Sequence, residues 1–532
     1  MGFQFVADDH FFTGDPRVRT SGHVWEYFTD FTWAEYDGGP ATFYRPLFVL
    51  WVRLNYILNG MSPWGWHLLS IAKHAAAAIL LGLLAWKLLH DRVAALMAAM
   101  LFALHPAQVE SVAWVTVPDP LMSAGVLCTV LLYLRYARGF PGNAIENTKL
   151  GKGARPKDAP QPSARWPIAS AAACFLTLFT KETAIILPVL IFALGLFRPR
   201  SDLDTNDAAK NRGAGFGTRL KQALLQISPF AAVTILYLLV RYHALGGKLS
   251  SPTQHLPWST MLLSWPATLW FYVKVVFWPI RSHAFADPVL VEGFSVSSVL
   301  LPALGVGCAI AVLAGVLVWV WRKAGRDLVP EEAIGVKYAL LLGTLLLVLP
   351  ILPTLDLNAL SPGDSLHGRY TYLPLAGLML LVSTGWRVAQ KYRMPLLCAI
   401  GVLGAVFAAL TVSQEQQWRN DSTIVAVARQ NAPHNAPIAQ TLADERVHTA
   451  LQLNAEGRYS EALPILEQIT AEHPQDWYAW ATLADCYYHL DNLPEAEKSL
   501  HRAADLSHKP EVLQQWQELR EEMGLPSAVP PQ

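Results

Sequence analysis

The sequence predicts an all-α protein, a polytopic helical membrane domain followed by a short C-terminal helical repeat, on three observations. Of the 532 residues, 53% are hydrophobic and only 15% charged, with a positive mean hydropathy, a balance that soluble chains of this length rarely show. The apolar residues are gathered into runs of the length that crosses a bilayer. After residue 412 the composition turns polar and acidic, and a spaced pattern of small and aromatic residues begins.

The candidate spans are residues 67–89, 93–104, 119–137, 166–180, 183–197, 224–240, 299–321, 338–352, 370–386 and 395–412. That is about ten crossings for spans of roughly 20 mostly apolar residues, or fewer where neighbouring helices cover the ends. Residues 262–280 are also apolar but carry Trp, Pro and Lys274, and are read as re-entrant or interfacial. Trp64, Trp66, Trp166, Trp278, Trp319, Trp321 and Trp386 stand at the ends of apolar runs, where an amphipathic ring suits the headgroup layer. Cys128, Cys174, Cys308 and Cys398 lie inside apolar runs and Cys486 in the repeat, without metal-type spacing. They read as small core residues.

Equal totals of 41 basic and 41 acidic residues exclude a strongly basic nucleic-acid binder, so position carries the information. Lys and Arg in short loops are retained on the cytoplasmic side. The loop with Arg135, Arg138, Lys149, Lys152, Arg155, Lys157 and Arg165 is assigned there, as is the disorder-like loop 198–221. Arg322, Lys323 and Arg326, and Arg387, Lys391 and Arg393, follow if 262–280 does not cross. This parity puts residues 1–66 and the C-terminal domain on the outer face. A polar segment 1–66 would then be exported with no preceding span, which leads to the expectation that a first transmembrane helix is missing.

In the C-terminal part, Ala450, Gly457, Tyr459, Ala462, Leu466 and Pro474, then Trp480, Leu483, Tyr487, Leu490, Ala496, Leu500 and Ala503, recur at the equivalent positions of a tetratricopeptide helix pair, whose period is about 34 residues. Small residues such as Ala462 and Ala496 let paired helices approach closely, and residues 512–523 read as a capping helix. The expected organisation is an outer-face first loop at 1–66, a membrane domain at 67–412, a linker at 413–440 and a tetratricopeptide α-solenoid at 441–526.

Charged residues at the edges of apolar spans are costly and point to function. Asp8, Asp9 and His10, Arg45, His105, Glu110, Lys181 and Glu182, Arg281 and His283, and His367 and Arg369 all map to the outer boundary under this topology. Asp8 and Asp9 offer one carboxylate as a general base and one to orient it; adjacent aspartates are otherwise solvated turn residues. Arg45 opens the amphipathic stretch 47–58 and is otherwise an end charge on an interfacial helix. Lys181 and Glu182 also read as an ion pair neutralised internally at a helix junction. Arg369, between His367 and Tyr370, suits a phosphate because guanidinium binds it bidentately, and otherwise snorkels.

The ordered motifs FVADDHFF, YRPLFVLWVRLNYILNG, HLLSIAKH, LFALHPAQVESVAWV, TKETAIILP and GRYTYLPLAGL, with tetratricopeptide repeats after them, resemble the transmembrane tetratricopeptide O-mannosyltransferase family and its bacterial relatives. These are type C glycosyltransferases, which use polyprenyl-phosphate-linked sugars. The likeness covers residues 3–377. In that fold the aspartate pair follows the first transmembrane helix, in keeping with the missing span. The resemblance implies that Asp8 or Asp9 deprotonates an acceptor hydroxyl, which attacks the anomeric carbon with inversion and expels the lipid phosphate. It implies that Arg369, with Arg281 or Lys181, stabilises charge on that phosphate, and that Glu182, Arg45, His105, Glu110, His10 and Tyr370 serve the substrate site. After VAWV the family has a Gly-Arg-x-acid segment, whereas here Thr116, Val117, Pro118, Asp119 and Pro120 stand.

No DxD-type metal motif is evident among the outer-face candidates, the triplet Asp202-Leu203-Asp204 lying in the loop assigned to the cytoplasmic side, so a metal-independent reaction is expected, with the lipid-linked sugar as donor substrate and no cofactor. The expected acceptor is a protein Ser/Thr hydroxyl or an envelope glycan or lipid, presented by the repeats. The expected place is the outer, periplasmic side of a bacterial cytoplasmic membrane. The competing readings are a transporter or flippase for a lipid-linked substrate, which calls for ionisable residues at mid-membrane and broken inverted repeats, and a non-catalytic scaffold displaying the repeats.

Overall fold

A computed structural model describes residues 2–32, 43–136, 165–197, 216–248, 255–280, 286, 290–359, 366–431, 445–472, 474–507 and 510–525. Helices account for the regular structure among them, joined by one isolated antiparallel bridge between Ala286 and Leu366. The chain divides into two compact units, one of Met1–Phe5 and Asp15–Asn435, the other of Val6–Gly14 and Ala436–Gln532.

The second unit begins with α1 (Asp9–Gly14); its repeat helices are described below. In the first unit, α2 (Pro46–Asn59) and α3 (Pro63–Leu89) each open on a proline, whose fixed φ suits the first helical position. The α3 helix stops where His90 turns left-handed at φ 49°, its amide donating to the Trp86 carbonyl. Asp91 then caps α4 (Arg92–Leu104) by accepting the Ala94 amide at 3.0 Å, so α3 and α4 form a tight hairpin. Proline 106 follows the end of α4, and α5 (Val109–Ala113) leaves in a new direction, bent by 57°. Next come α6 (Asp119–Tyr136), α7 (Arg165–Leu178), α8 (Leu187–Leu196), α9 (Phe216–Ala244) and α10 (Trp258–Phe277). The unit closes with α11 (Leu301–Asp327), α12 (Pro330–Val348), α13 (Tyr372–Val388) and α14 (Arg393–Glu415).

Within the described residues the predicted spans lie on helices, but not all of these helices are long enough to cross a membrane by themselves. Among the described residues six helices are long and apolar enough to cross a membrane, or seven if α4 and α5 count as one bent span. The others are short, α7 and α8 having 14 and 10 residues, or interior, as α13 is, with nearly every residue covered by neighbours. Conversely, α10 is one continuous helix of 20 residues despite Pro266, and meets the length and apolarity expected of a span. The chain is a multi-pass membrane protein. Within the bundle, α12 and α13 touch at glycines: a Cβ on Gly377 would stand 2.5 Å from the Gly343 carbonyl oxygen, the backbone-to-backbone contact that small residues permit. By contrast α11 and α14 leave most of their apolar side chains uncovered, Val312 and Val402 among them, as expected of surfaces facing lipid.

The residues read as linker include a helix, Asp421–Asn431. The repeat helices are α15 (Glu445–Ala455), α16 (Tyr459–Glu472), α17 (Trp477–His489), α18 (Leu493–Ser507) and α19 (Pro510–Glu522), the last being the expected cap. Ala450, Ala462, Leu466, Ala479, Leu483 and Cys486 form one core, and Ala496, Leu500, Ala503, Val512 and Trp516 the next. Gly457, at φ 75°, makes the turn between α15 and α16 that a side chain would strain. Asp476 caps α17 by accepting the Tyr478 and Ala479 amides. Residues 6–14, expected with the first outer loop, belong to this unit, and α1 packs on α15.

Candidate functional site

The first unit gathers most of the flagged charges into one polar belt. Glu182 stands at the start of a 3₁₀ turn, Glu182–Ile186, between two guanidinium groups. Arg45 reaches it with Nη2 at 2.9 Å and Nε at 3.0 Å, and Arg241 with Nη1 at 3.2 Å. The Tyr44 amide donates to the same carboxylate at 3.2 Å. Lys181 turns the other way and donates to Asp119 Oδ1 at 2.6 Å, both side chains buried. The expected pairing of Lys181 with Glu182 is therefore wrong. The extended backbone of Lys181 sends consecutive side chains to opposite sides, and each finds a partner remote in sequence.

Lys181 Nζ also lies 5.0 Å from the centre of the Tyr370 ring, which links this pair to the third group. Glu110, buried on α5, accepts from His367 Nδ1 at 2.9 Å and from the Arg369 amide at 3.0 Å. The Arg369 guanidinium stands 3.8 Å from the same carboxylate and lies over the Trp114 ring at 4.5 Å, a contact that fixes its plane. Trp114 in turn packs against Trp418 at 5.8 Å. The belt thus brings Arg45, Arg241, Lys181 and Arg369 together with Glu182, Asp119 and Glu110. Such a cluster of cations can hold a group carrying one or two negative charges.

The motif HLLSIAKH supports this arrangement from below. Ser70 on α3 donates to the Val112 carbonyl at 2.7 Å and Lys73 to the Val115 carbonyl at 3.2 Å, which fixes the segment bearing Glu110 and Trp114. His74 bridges the Tyr372 hydroxyl at 2.7 Å and the Ala103 carbonyl at 3.1 Å, joining α13 to α4.

The remaining flagged residues fall elsewhere. His105 uses both ring nitrogens in the backbone, Nε2 with the Val276 carbonyl at 3.1 Å and Nδ1 accepting the Ala107 amide at 3.2 Å. It caps the turn at Pro106–Gln108 and is a structural residue here. Arg281 and His283 lie outside the described residues. In the second unit Asp9 is fully buried, its Oδ2 accepting the Val6 amide at 3.2 Å, while Asp8 and His10 are half-buried. The Asp9 carbonyl takes the Thr13 hydroxyl at 2.8 Å, and the His10 carbonyl shares it at 3.2 Å. Reading the sequence missed Arg241, Trp114 and the role of Asp119. Arg241 closes the apolar run 224–240 and carried the same edge-of-span signal as the residues flagged.

A tetratricopeptide repeat family model matches residues 453–515. The membrane part has curated relatives. Protein O-mannosyl-transferase Tmtc1 of Drosophila melanogaster is 27% identical over 85% of this chain and 56% of its own length. Protein O-mannosyl-transferase TMTC3 of Mus musculus is 23% identical over 87% of this chain and 48% of its own length. Protein O-mannosyl-transferase Tmtc2 of Drosophila melanogaster reaches 37% identity over 26% of this chain and 15% of its own. No solved structure matches. The chain spans about half the length of the curated relatives it matches along most of its residues. The resemblance carried by the ordered motifs thus extends along most of the chain, which is similar over 85–87% of its residues to relatives named protein O-mannosyl-transferase.

Proposed function

We propose that this chain is a type C membrane glycosyltransferase that moves a sugar from a polyprenyl phosphate to a hydroxyl on the outer face of a bacterial cytoplasmic membrane. The observation that carries the reading is similarity along 85% of the chain to a protein named as an O-mannosyl-transferase. The chemistry of the polar belt is in keeping with it. Arg369, aligned by Trp114 and Glu110, takes the lipid phosphate, and Lys181 and the Arg45 and Arg241 pair add positive charge. Asp8 or Asp9 accepts the proton of the acceptor hydroxyl. Its half-buried position favours Asp8 for that step and leaves Asp9 to shape the loop. The hydroxyl oxygen attacks the anomeric carbon, the bond to the phosphate oxygen breaks, and configuration inverts. No divalent metal is required in this scheme. The repeats bind a protein Ser/Thr acceptor, or failing that an envelope glycan.

The test is glycan mass spectrometry of envelope proteins and lipids in a deletion strain complemented with wild type, Asp8→Asn, Asp9→Asn or Arg369→Lys, each checked for membrane insertion. A hexose-bearing species lost on deletion and restored by wild type alone supports the proposal. Glycans unchanged by the deletion would favour the scaffold reading.

A further inference from the structure

We infer that Trp418, just past the last span, is a positioning residue of the cation site: its ring backs the indole of Trp114, on which the Arg369 guanidinium lies. What Arg369 binds rests on the transferase reading above; how it is held does not. Along α14 and the turn that follows it, Gln416–Trp418, the buried residues are Phe407, Gln414 and Trp418, spaced so that they share one face of the helix. That face docks on the segment that carries the site. The Phe407 ring meets His105 at 4.6 Å, and the Thr411 hydroxyl donates to the Leu104 carbonyl at 2.8 Å. Gln414 donates to the Pro279 carbonyl at 2.7 Å, and Trp418 reaches Trp114 at 5.8 Å, the rings 32° apart.

Trp114 is the platform of the third group. The Arg369 guanidinium lies 4.5 Å over its ring, and His367 meets it edge-on at 6.3 Å. Ser70 and Lys73 hold the backbone on either side of it through the Val112 and Val115 carbonyls. Backbone bonds fix the segment but not the plane of an indole, which turns about two side-chain bonds. Ring contacts fix the plane, and Trp418, itself 2% exposed, supplies one of them through an aromatic pair of ordinary spacing. A guanidinium stacked on a ring follows that ring, so a residue that never touches the phosphate sets the direction from which Arg369 meets it.

Two measurements on the full chain in detergent test the inference: the rate at which phenylglyoxal labels Arg369, read by mass spectrometry, and the binding of farnesyl phosphate, a short polyprenyl phosphate. In Trp418→Ala, Arg369 should be labelled about threefold faster as its stacking loosens, and farnesyl phosphate should bind about tenfold more weakly. Trp418→Phe, which keeps an aromatic face, should restore both to within about twofold of wild type. Phe407→Ala removes a ring from the same face of α14 away from Trp114 and should leave both unchanged. In an Arg369→Lys background, Trp418→Ala should weaken binding no further, because the group it positions is gone. Should the alanine variant fail to insert, Trp418→Leu, which keeps bulk without a ring face, carries the same expectations. Labelling unchanged in Trp418→Ala, or equally accelerated in Phe407→Ala, overturns the inference. Faster labelling with unchanged binding upholds the positioning and removes Arg369 from the phosphate, so failure here and failure of the transferase reading are separate results.

Discussion

The two ends of α13 carry the same chemistry put to different use. At its C-terminal end Arg387 pairs with Glu332 at 2.7 Å, and nearby Arg393 pairs with Asp91 at 3.1 Å. Each cation has one carboxylate. At the N-terminal end, about 25 Å away for 17 helical residues, Arg369 shares Glu110 with His367, and Glu182 is divided between two arginines. One end is neutralised pair by pair. The other shares each of two carboxylates between two partners, so that removing a shared acid strands more than one basic group.

The sharpest way to break this comparison is to remove one carboxylate from each end. Glu182→Ala leaves Arg45 and Arg241 without their acid and should cost about 3–5 kcal/mol. Glu332→Ala, whose side chain is 36% exposed, should cost less than about 1 kcal/mol. Thermal unfolding of both variants in the same detergent checks the pair, and equal losses would remove the distinction. A smaller effect tests whether α13 is the rigid rod that separates the ends. Gly377→Ala forces a methyl against the Gly343 carbonyl and should cost about 1–3 kcal/mol, read as a lower midpoint and a broader size-exclusion peak. Smallest in stability is the exchange of arginine for lysine at either end. Both Arg369→Lys and Arg387→Lys should unfold within about 1 kcal/mol of wild type, but only the first loses a planar group stacked on Trp114. Binding of a polyprenyl-phosphate sugar should weaken about tenfold in Arg369→Lys, or about 1.4 kcal/mol, and stay unchanged in Arg387→Lys.

Away from the belt, Cys486 offers a control on the repeat. Its thiol, donating to Asn454 Oδ1 at 3.1 Å, is pushed up to about 12 by burial and by the Asp485 carboxylate. Thiolate is then scarce at neutral pH, and Cys486, which is buried, should react with a maleimide far more slowly in the folded chain than after the repeat unfolds. Mass spectrometry of the labelled chain checks this.

Helix positions were legible because hydropathy and the small-residue spacing of the repeat are local signals. The 3₁₀ start at Glu182 and the bend after Leu104 also follow nearby sequence. Partnership was not legible. Lys181 and Glu182 read as each other's partner, yet their acids and bases come from Asp119, Arg45 and Arg241, residues 59 to 137 positions away, brought in only by the packing of four separate segments. Asp119 stood in the segment that departs from the related family, so its role as the Lys181 partner left no local mark. His105 carried the same edge-of-span signal as Glu110, but one caps backbone while the other holds His367 and Arg369, a difference that shows only once their partners are known.

The long helix ending at Asp327 sets a condition of another kind. Of the 32 helical residues Val296–Asp327, the apolar run ends at Trp321, before Arg322 and Lys323, and is about 39 Å long at 1.5 Å per residue, against a hydrocarbon layer about 30 Å thick. A rod so much longer than its solvent must lean, or stretch the bilayer around it. Its hydrophobic length makes the protein sensitive to the acyl chains it lives among. Reconstitution in lipids of graded chain length should therefore change its tilt and its thermal midpoint together, and a detergent micelle of the wrong thickness would strain this helix before any other.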